Sequence, residues 1–155
     1  MEKLEKALNK ARIEREYNLG TSKIVSNNVS NKVFTPAAAP IEIEENLLEK
    51  NHIISYHTRS EEADVFRILR TQILQIMNQS GLKTLGITSP RYGDGKTTIA
   101  LNLAVSIAQD LKQTVLLVDI DLRKPSVAEY LGIVEPLGIS DYCLQNTPIS
   151  ECIIR

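Results

Sequence analysis

Ser89-Pro90-Arg91-Tyr92-Gly93-Asp94-Gly95-Lys96-Thr97-Thr98 is the stretch on which the reading of this chain turns. Before it, Thr84 to Thr88 is short and apolar and reads as a strand. After it, Ile99, Leu103, Ala104 and Ile107 recur at helical spacing, which predicts a helix from about Lys96 to Asp110. Gly93 and Gly95 therefore fall between a strand and a helix start, where glycine lets bare backbone N–H groups surround an anion and the helix dipole adds to the attraction. In such a loop Lys96 reaches terminal phosphates, and the Thr97 hydroxyl completes the shell of a bridging magnesium ion. Tyr92, Asp94 and Thr98 line the same loop. Pro90 stands where the strict pattern G-x-x-x-x-G-K-[ST] has its first glycine, so the loop is a variant of that motif. The plainer alternative is a tight turn with a lysine on the surface.

Beyond the helix, Val115-Leu116-Leu117-Val118 is continuously apolar, as a parallel strand covered on both faces would be, and it ends in Asp119. The order strand, loop, helix, strand predicts a right-handed unit. In open parallel sheets ligands collect at the C-terminal strand ends, so Asp119 and Asp121 are expected to share one crevice with the glycine loop. Asp119 can hold the magnesium shell or orient a hydroxyl, while Arg123 and Lys124 can balance phosphate charge. A polar loop after a buried strand is the plain alternative.

Upstream, Thr58 and Glu61 have capping-box spacing. Phe66, Leu69, Ile73, Ile76 and Met77 then follow helical spacing to a stop at Ser80-Gly81. Residues 1–17 place Leu4, Ala7, Leu8 and Ala11 on one stripe of a short amphipathic helix. Residues 18–57 read as a flexible linker, rich in Ser, Asn, Thr and Ala over 18–40 with Pro36 and Pro40.

The 155 residues suffice for one modest core. Hydrophobic residues make up 43% and charged residues 24%, which points to a soluble globular protein. Eighteen Lys and Arg against 19 Asp and Glu leave a net charge of -1, which argues against nucleic acid as a partner. No apolar run approaches the roughly 20 residues of a bilayer span, and the charged N-terminus lacks a signal-peptide core, so a cytoplasmic protein is expected. Cys143 and Cys152 are too far apart for a Cys-x-x-Cys motif, and His52 and His57 lack ligand-type neighbours, so both pairs read as incidental.

The variant loop, the helix Thr98 to Ala108, and Val115-Leu-Leu-Val-Asp119-Ile-Asp121-Leu-Arg123-Lys124-Pro125 together resemble the bacterial protein-tyrosine kinases of capsule and exopolysaccharide loci. In that family the Asp-x-Asp-x-Arg block is a second, Walker A' motif, which maps onto Asp119, Asp121 and Arg123. Gly138-Ile-Ser140-Asp141-Tyr142 is similar to a Gly-Leu-Ser-Asp stretch of the same proteins, so the resemblance spans roughly residues 58–155. Glu5-Lys6-Ala7-Leu8 with Lys10-Ala11-Arg12 also resembles the opening of the exosortase-associated (PEP-CTERM) autokinases. The family's oligomerisation helix carries Glu-x-x-Arg-x-x-Arg, and Asp64, Arg67 and Arg70 stand in that register with Asp in place of Glu. These charges form one slanted ridge on a helix, able to meet a second copy of the chain or simply to face solvent.

The resemblance implies a P-loop NTPase fold: α/β, a doubly wound and mostly parallel sheet, present here as its N-terminal portion after a helix and a linker. It further implies an ATP-dependent tyrosine autokinase using ATP and Mg2+, with Lys96, Asp119 and Asp121 as catalytic residues and Thr97 and Asp119 on the metal. Homo-oligomerisation and a membrane-embedded polysaccharide co-polymerase or activator as partner are implied as well, with peripheral attachment to the inner membrane face through it. Two family features have no counterpart after residue 125, the Walker B strand and the tyrosine cluster. Tyr17, Tyr56, Tyr92, Tyr130 and Tyr142 are scattered, and a truncated chain or split reading frame is expected. Two rivals follow from the same residues: a deviant-loop partitioning or positioning ATPase, which usually has a lysine where Arg91 stands, and a non-catalytic nucleotide-binding assembly module.

Overall fold

The computed structural model describes residues 40–134 and 136–155, so the helix expected over 1–17 and the linker residues 18–39 lie outside the described residues. Among the described residues five helices follow one another: α1 (Glu45–Lys50), α2 (Glu61–Gln79), α3 (Lys96–Ala108), α4 (Val127–Tyr130) and α5 (Ile139–Gln145). No helix among the described residues is long and apolar enough to cross a membrane.

Helix α2 forms where the apolar period predicts it, but its cap is Ser60 and not Thr58. Ser60 has extended backbone (φ -142°, ψ 143°), and its hydroxyl accepts from Ala63 N at 3.1 Å. Two hydroxyl residues compete for the cap, and Ser60 takes it because it directly precedes the first helical residue, with Glu61, Glu62 and Asp64 in the first turn favouring the dipole. The helix ends at Ser80, and Gly81 reverses the chain at φ 65°. Phe66, Leu69, Ile73 and Met77 are half-buried, whereas Ile76 is exposed. Helix α2 packs on α3, and Arg70 Nη1 crosses between them to donate to Ser106 O at 2.7 Å.

The buried face of α3 includes the expected Leu103, with Ala104 and Ile107 half-buried, but its centre is shifted. Leu101, Asn102, Leu103 and Ser106 are buried, while Ile99 is exposed. A search for apolar residues alone cannot see this face, because its centre is the side-chain amide of Asn102, which is 0% exposed. Asn102 Oδ1 accepts from Ile54 N at 2.8 Å and Ser55 N at 2.9 Å, and its Nδ2 donates to His52 O at 2.8 Å and Thr98 O at 2.9 Å. All four hydrogen-bonding sites of the amide are used.

Three of those partners, His52, Ile54 and Ser55, belong to a stretch placed in the flexible linker by its sequence. Over residues 41–57 the chain instead forms a strap. Ile41 N donates to Arg155 O at 2.8 Å, α1 follows, and Asn51 Nδ2 donates to Tyr130 O at 2.8 Å. Ile53 is fully buried, which removes enough apolar surface to contribute about 2 kcal/mol. Gln109 Nε2 then donates to Ser55 O at 2.7 Å. The strap escapes a periodicity search because side-chain amides and one isoleucine hold it, with no apolar repeat. At its other contact, Gly132 (φ 69°) leaves room for Leu47: a Cβ built there would lie 2.6 Å from Leu47 Cδ2.

Among the described residues no β-strand is formed. The two stretches expected as strands, 84–88 and 115–118, are non-helical, and Leu85, Ile87, Val115, Leu116 and Val118 are exposed. An apolar run becomes a strand only when a neighbouring backbone takes up its N–H and C=O groups, and among the described residues none does.

Candidate functional site

Helix α3 begins on a bare terminus. Its N-cap is Gly95 in the left-handed region (φ 87°, ψ 12°), which supplies no side chain to the first amides. Two residues earlier Gly93 has φ 82°, and a Cβ at either glycine would meet nothing within 4 Å. A loop with two left-handed glycines ahead of a 13-residue helix thus leaves its first-turn N–H groups without a side-chain cap, beside open space, where an anion is favoured by both hydrogen bonding and the dipole.

The loop is closed over itself by its own charges. Asp94 Oδ2 accepts from Arg91 N at 3.1 Å, and Ser89 Oγ donates to Arg91 O at 3.0 Å. Lys96 Nζ donates to Ser89 Oγ and to Arg91 O, both at 3.1 Å. The ammonium therefore lies back across the loop that a phosphate would enter, held by two neutral acceptors. A phosphate oxygen carries far more charge than either, so exchange of partners is favourable.

Asp119 is half-buried and heavily used. Its Oδ1 accepts from Asp121 N at 3.0 Å, and its Oδ2 accepts from Ser126 N at 2.9 Å and Val127 N at 3.1 Å. Asp121 is exposed and closes the next turn, accepting from Lys124 N at 3.2 Å. Arg123 is exposed beside it. The glycine loop and the Asp119 loop meet at two points. Thr97 Oγ1 lies 2.8 Å from Ser126 Oγ, and Lys124 Nζ sits 4.1 Å from the centre of the Tyr92 ring. Hydrogen bonding to the Tyr92 phenol, and its charge, raise the Lys124 ammonium above the ordinary lysine value. The carbonyl of Thr98 serves Asn102.

Thr97 and Asp119 are thus joined through one residue, Ser126, that the sequence reading left out. The only local signal, capping-box spacing of Ser126 and Glu129 ahead of α4, points to a helix cap and not to Thr97. The Ser126 hydroxyl makes no helix cap because it is turned to Thr97. The oxygens gathered here suit magnesium chemically, since Thr97 offers a hydroxyl and Asp119 a carboxylate, with no sulfur or imidazole among them. No cluster of three or more His, Cys, Asp or Glu that could hold a metal exists among the described residues. Two protein oxygens fit an ion that takes its remaining ligands from phosphate and water, and do not fit a stand-alone protein cage.

The ridge on α2 is used inside the chain. Arg67 pairs with Asp64, its Nε donating to Asp64 Oδ1 at 2.7 Å, and its guanidinium also reaches His57 O at 3.3 Å and Ser60 O at 3.4 Å. Arg70 is committed to Ser106 O, while the Asp64 side chain stays 59% exposed.

No protein-family profile matches the chain, and no solved structure matches it. Curated proteins do. The tyrosine-protein kinase YwqD of Bacillus subtilis (strain 168) is 33% identical over 106 residues, which cover 68% of this chain and 44% of that protein. The tyrosine-protein kinase wzc of Salmonella typhi is 36% identical over 89 residues, 57% of this chain and 12% of the relative. The chain therefore spans less than half the length of either.

Proposed function

We propose that the chain is the nucleotide-binding portion of an ATP-dependent protein-tyrosine autokinase, built on a P-loop α/β fold and serving capsule or exopolysaccharide export. The observation that carries this reading is the junction of the two loops, in which Thr97 and Asp119 share Ser126 directly beside Lys96 and the uncapped amides of α3. Homologues named as tyrosine-protein kinases support it from outside.

In this reading the amides of Gly93 to Thr98 bind phosphate oxygens, and Lys96 leaves Ser89 and Arg91 to direct its ammonium to the terminal phosphates. Thr97 and Asp119 hold magnesium, which neutralises phosphate charge when bound. Asp121 supports the metal or orients the incoming tyrosine hydroxyl, and Arg123 balances charge at the rim. Most of the rate enhancement then comes from positioning and electrostatics, with no covalent step on the protein required. Self-association uses the Asp64, Arg67 and Arg70 ridge. Arg67 and Arg70 already donate within the chain, so a second copy recruits their remaining N–H groups and the exposed Asp64 carboxylate. A membrane-embedded co-polymerase of the exosortase-associated or capsule type is the expected activator, met at the cytoplasmic face, and nucleic acid is not a partner.

A phosphotyrosine immunoblot of the full gene product tests the assignment, comparing wild type with Lys96→Met. Signal only in the wild type supports it. Equal signal in both removes it, and nucleotide binding without phosphotransfer in either favours the assembly-module reading.

A further inference from the structure

We infer that Ser126 is a positioning residue that couples the phosphate loop to the Asp119 loop by fixing which way the Thr97 hydroxyl points. The inference rests on the nucleotide-binding reading above and deepens it by assigning a separate role to the Ser126 hydroxyl at the junction of the two loops.

Ser126 does two separable things. Through its backbone N–H it holds Asp119 Oδ2 at 2.9 Å, together with Val127 N at 3.1 Å. Through its side chain it meets Thr97 Oγ1 at 2.8 Å. Both contacts are half-buried: the backbone contact closes the Asp119 loop over 7 residues, and the side-chain contact joins that loop to the phosphate loop, 29 residues earlier. The side-chain contact is the informative one, because either hydroxyl can donate and the choice matters chemically. If Ser126 donates, it consumes a Thr97 lone pair. If Thr97 donates, both of its lone pairs remain free to face a cation.

A cation at Thr97 settles the direction. Withdrawing electron density from the threonine oxygen makes its proton a stronger donor, and a donor so polarised forms a stronger hydrogen bond to the neutral Ser126 oxygen. Cation binding and the Thr97 to Ser126 bond therefore strengthen each other. The same residue keeps the Asp119 carboxylate in register, so a threonine oxygen and a carboxylate oxygen are presented together without either being free to swing away. Ser126 itself touches no reacting atom; it acts through Thr97 and Asp119.

The two roles can be separated, because Ser126→Ala removes the hydroxyl and keeps the amide that holds Asp119. Nucleotide affinity is measured by calorimetry on the full chain with ATP, once with excess Mg2+ and once with EDTA. Wild type is expected to bind more tightly with Mg2+. In Ser126→Ala the Mg2+ enhancement should fall about fivefold, the equivalent of one hydrogen bond of about 1 kcal/mol, while the affinity in EDTA changes less than about twofold. Ser126→Thr, which restores a hydroxyl, should recover the enhancement. If Ser126→Ala does not fold, Ser126→Cys, whose sulfur is only a weak acceptor for the Thr97 hydroxyl, supplies the same comparison. An enhancement equal to wild type overturns the role of Ser126 alone, and so does an equal loss with and without Mg2+, which marks a merely structural residue. Absence of any ATP binding by wild type overturns the nucleotide reading and this inference with it.

Discussion

Replacing Asn102 by alanine should cost as much stability as truncating a buried leucine or isoleucine. The amide is fully buried and each of its four polar positions is matched, to Ile54 N, Ser55 N, His52 O and Thr98 O, at 2.8 to 2.9 Å. Taking about 1 kcal/mol net for each bond gives a loss of about 4 kcal/mol, partly offset where His52 O regains water and increased where Ser55 N is left buried without a partner. For a domain of this size that is a large share of a total stability of about 5–15 kcal/mol, and it lowers the unfolding midpoint by about 15 °C. Urea unfolding followed by far-UV circular dichroism measures it, with Leu111→Ala as control. Leu111 is wholly exposed, and its truncation should stay within about 0.5 kcal/mol of wild type. A change of less than about 1 kcal/mol in Asn102→Ala would refute the view that this amide fastens the strap to α3.

Two further outcomes follow from local geometry. Gly132→Ala places a Cβ 2.6 Å from Leu47 Cδ2 at a residue with φ 69°, and should destabilise by about 1–3 kcal/mol. Leu47→Ala in the same chain should recover part of that loss, which a denaturation series of the two single variants and the double variant will read. Ser106 Oγ is buried with no hydrogen-bond partner among the described residues, while the Ser106 carbonyl serves Arg70. Ser106→Ala removes the orphan hydroxyl and keeps the carbonyl, so it should leave the thermal midpoint unchanged or raise it, whereas a clear drop would mean that the hydroxyl is satisfied.

What the sequence disclosed was whatever chemistry writes locally. Gly93 and Gly95 are needed for left-handed backbone, Lys96 and Thr97 follow in fixed register, and the helix they open begins at Lys96 as expected. The start and stop of α2 were legible to within two residues, the error coming from a contest between Thr58 and Ser60 for one cap. What escaped was long-range and polar. Asn102 meets residues 47 to 50 positions away, and no apolar pattern announces it, although an asparagine inside a helix is a warning that its side chain has work elsewhere. Ser126 escaped for the same reason, its partner Thr97 lying 29 residues earlier. The runs 84–88 and 115–118 have the composition of buried strands, but composition states only what a segment would do beside a partner, and such partners are long-range too.

In the proposed function a triphosphate is gripped by main-chain amides near Gly93 and Gly95 together with the Lys96 ammonium. Calorimetric titration of the folded wild-type chain with Mg-ATP tests this most directly. Saturable heat that disappears in Lys96→Met is the predicted result, and a flat titration of wild type at millimolar ligand would contradict it.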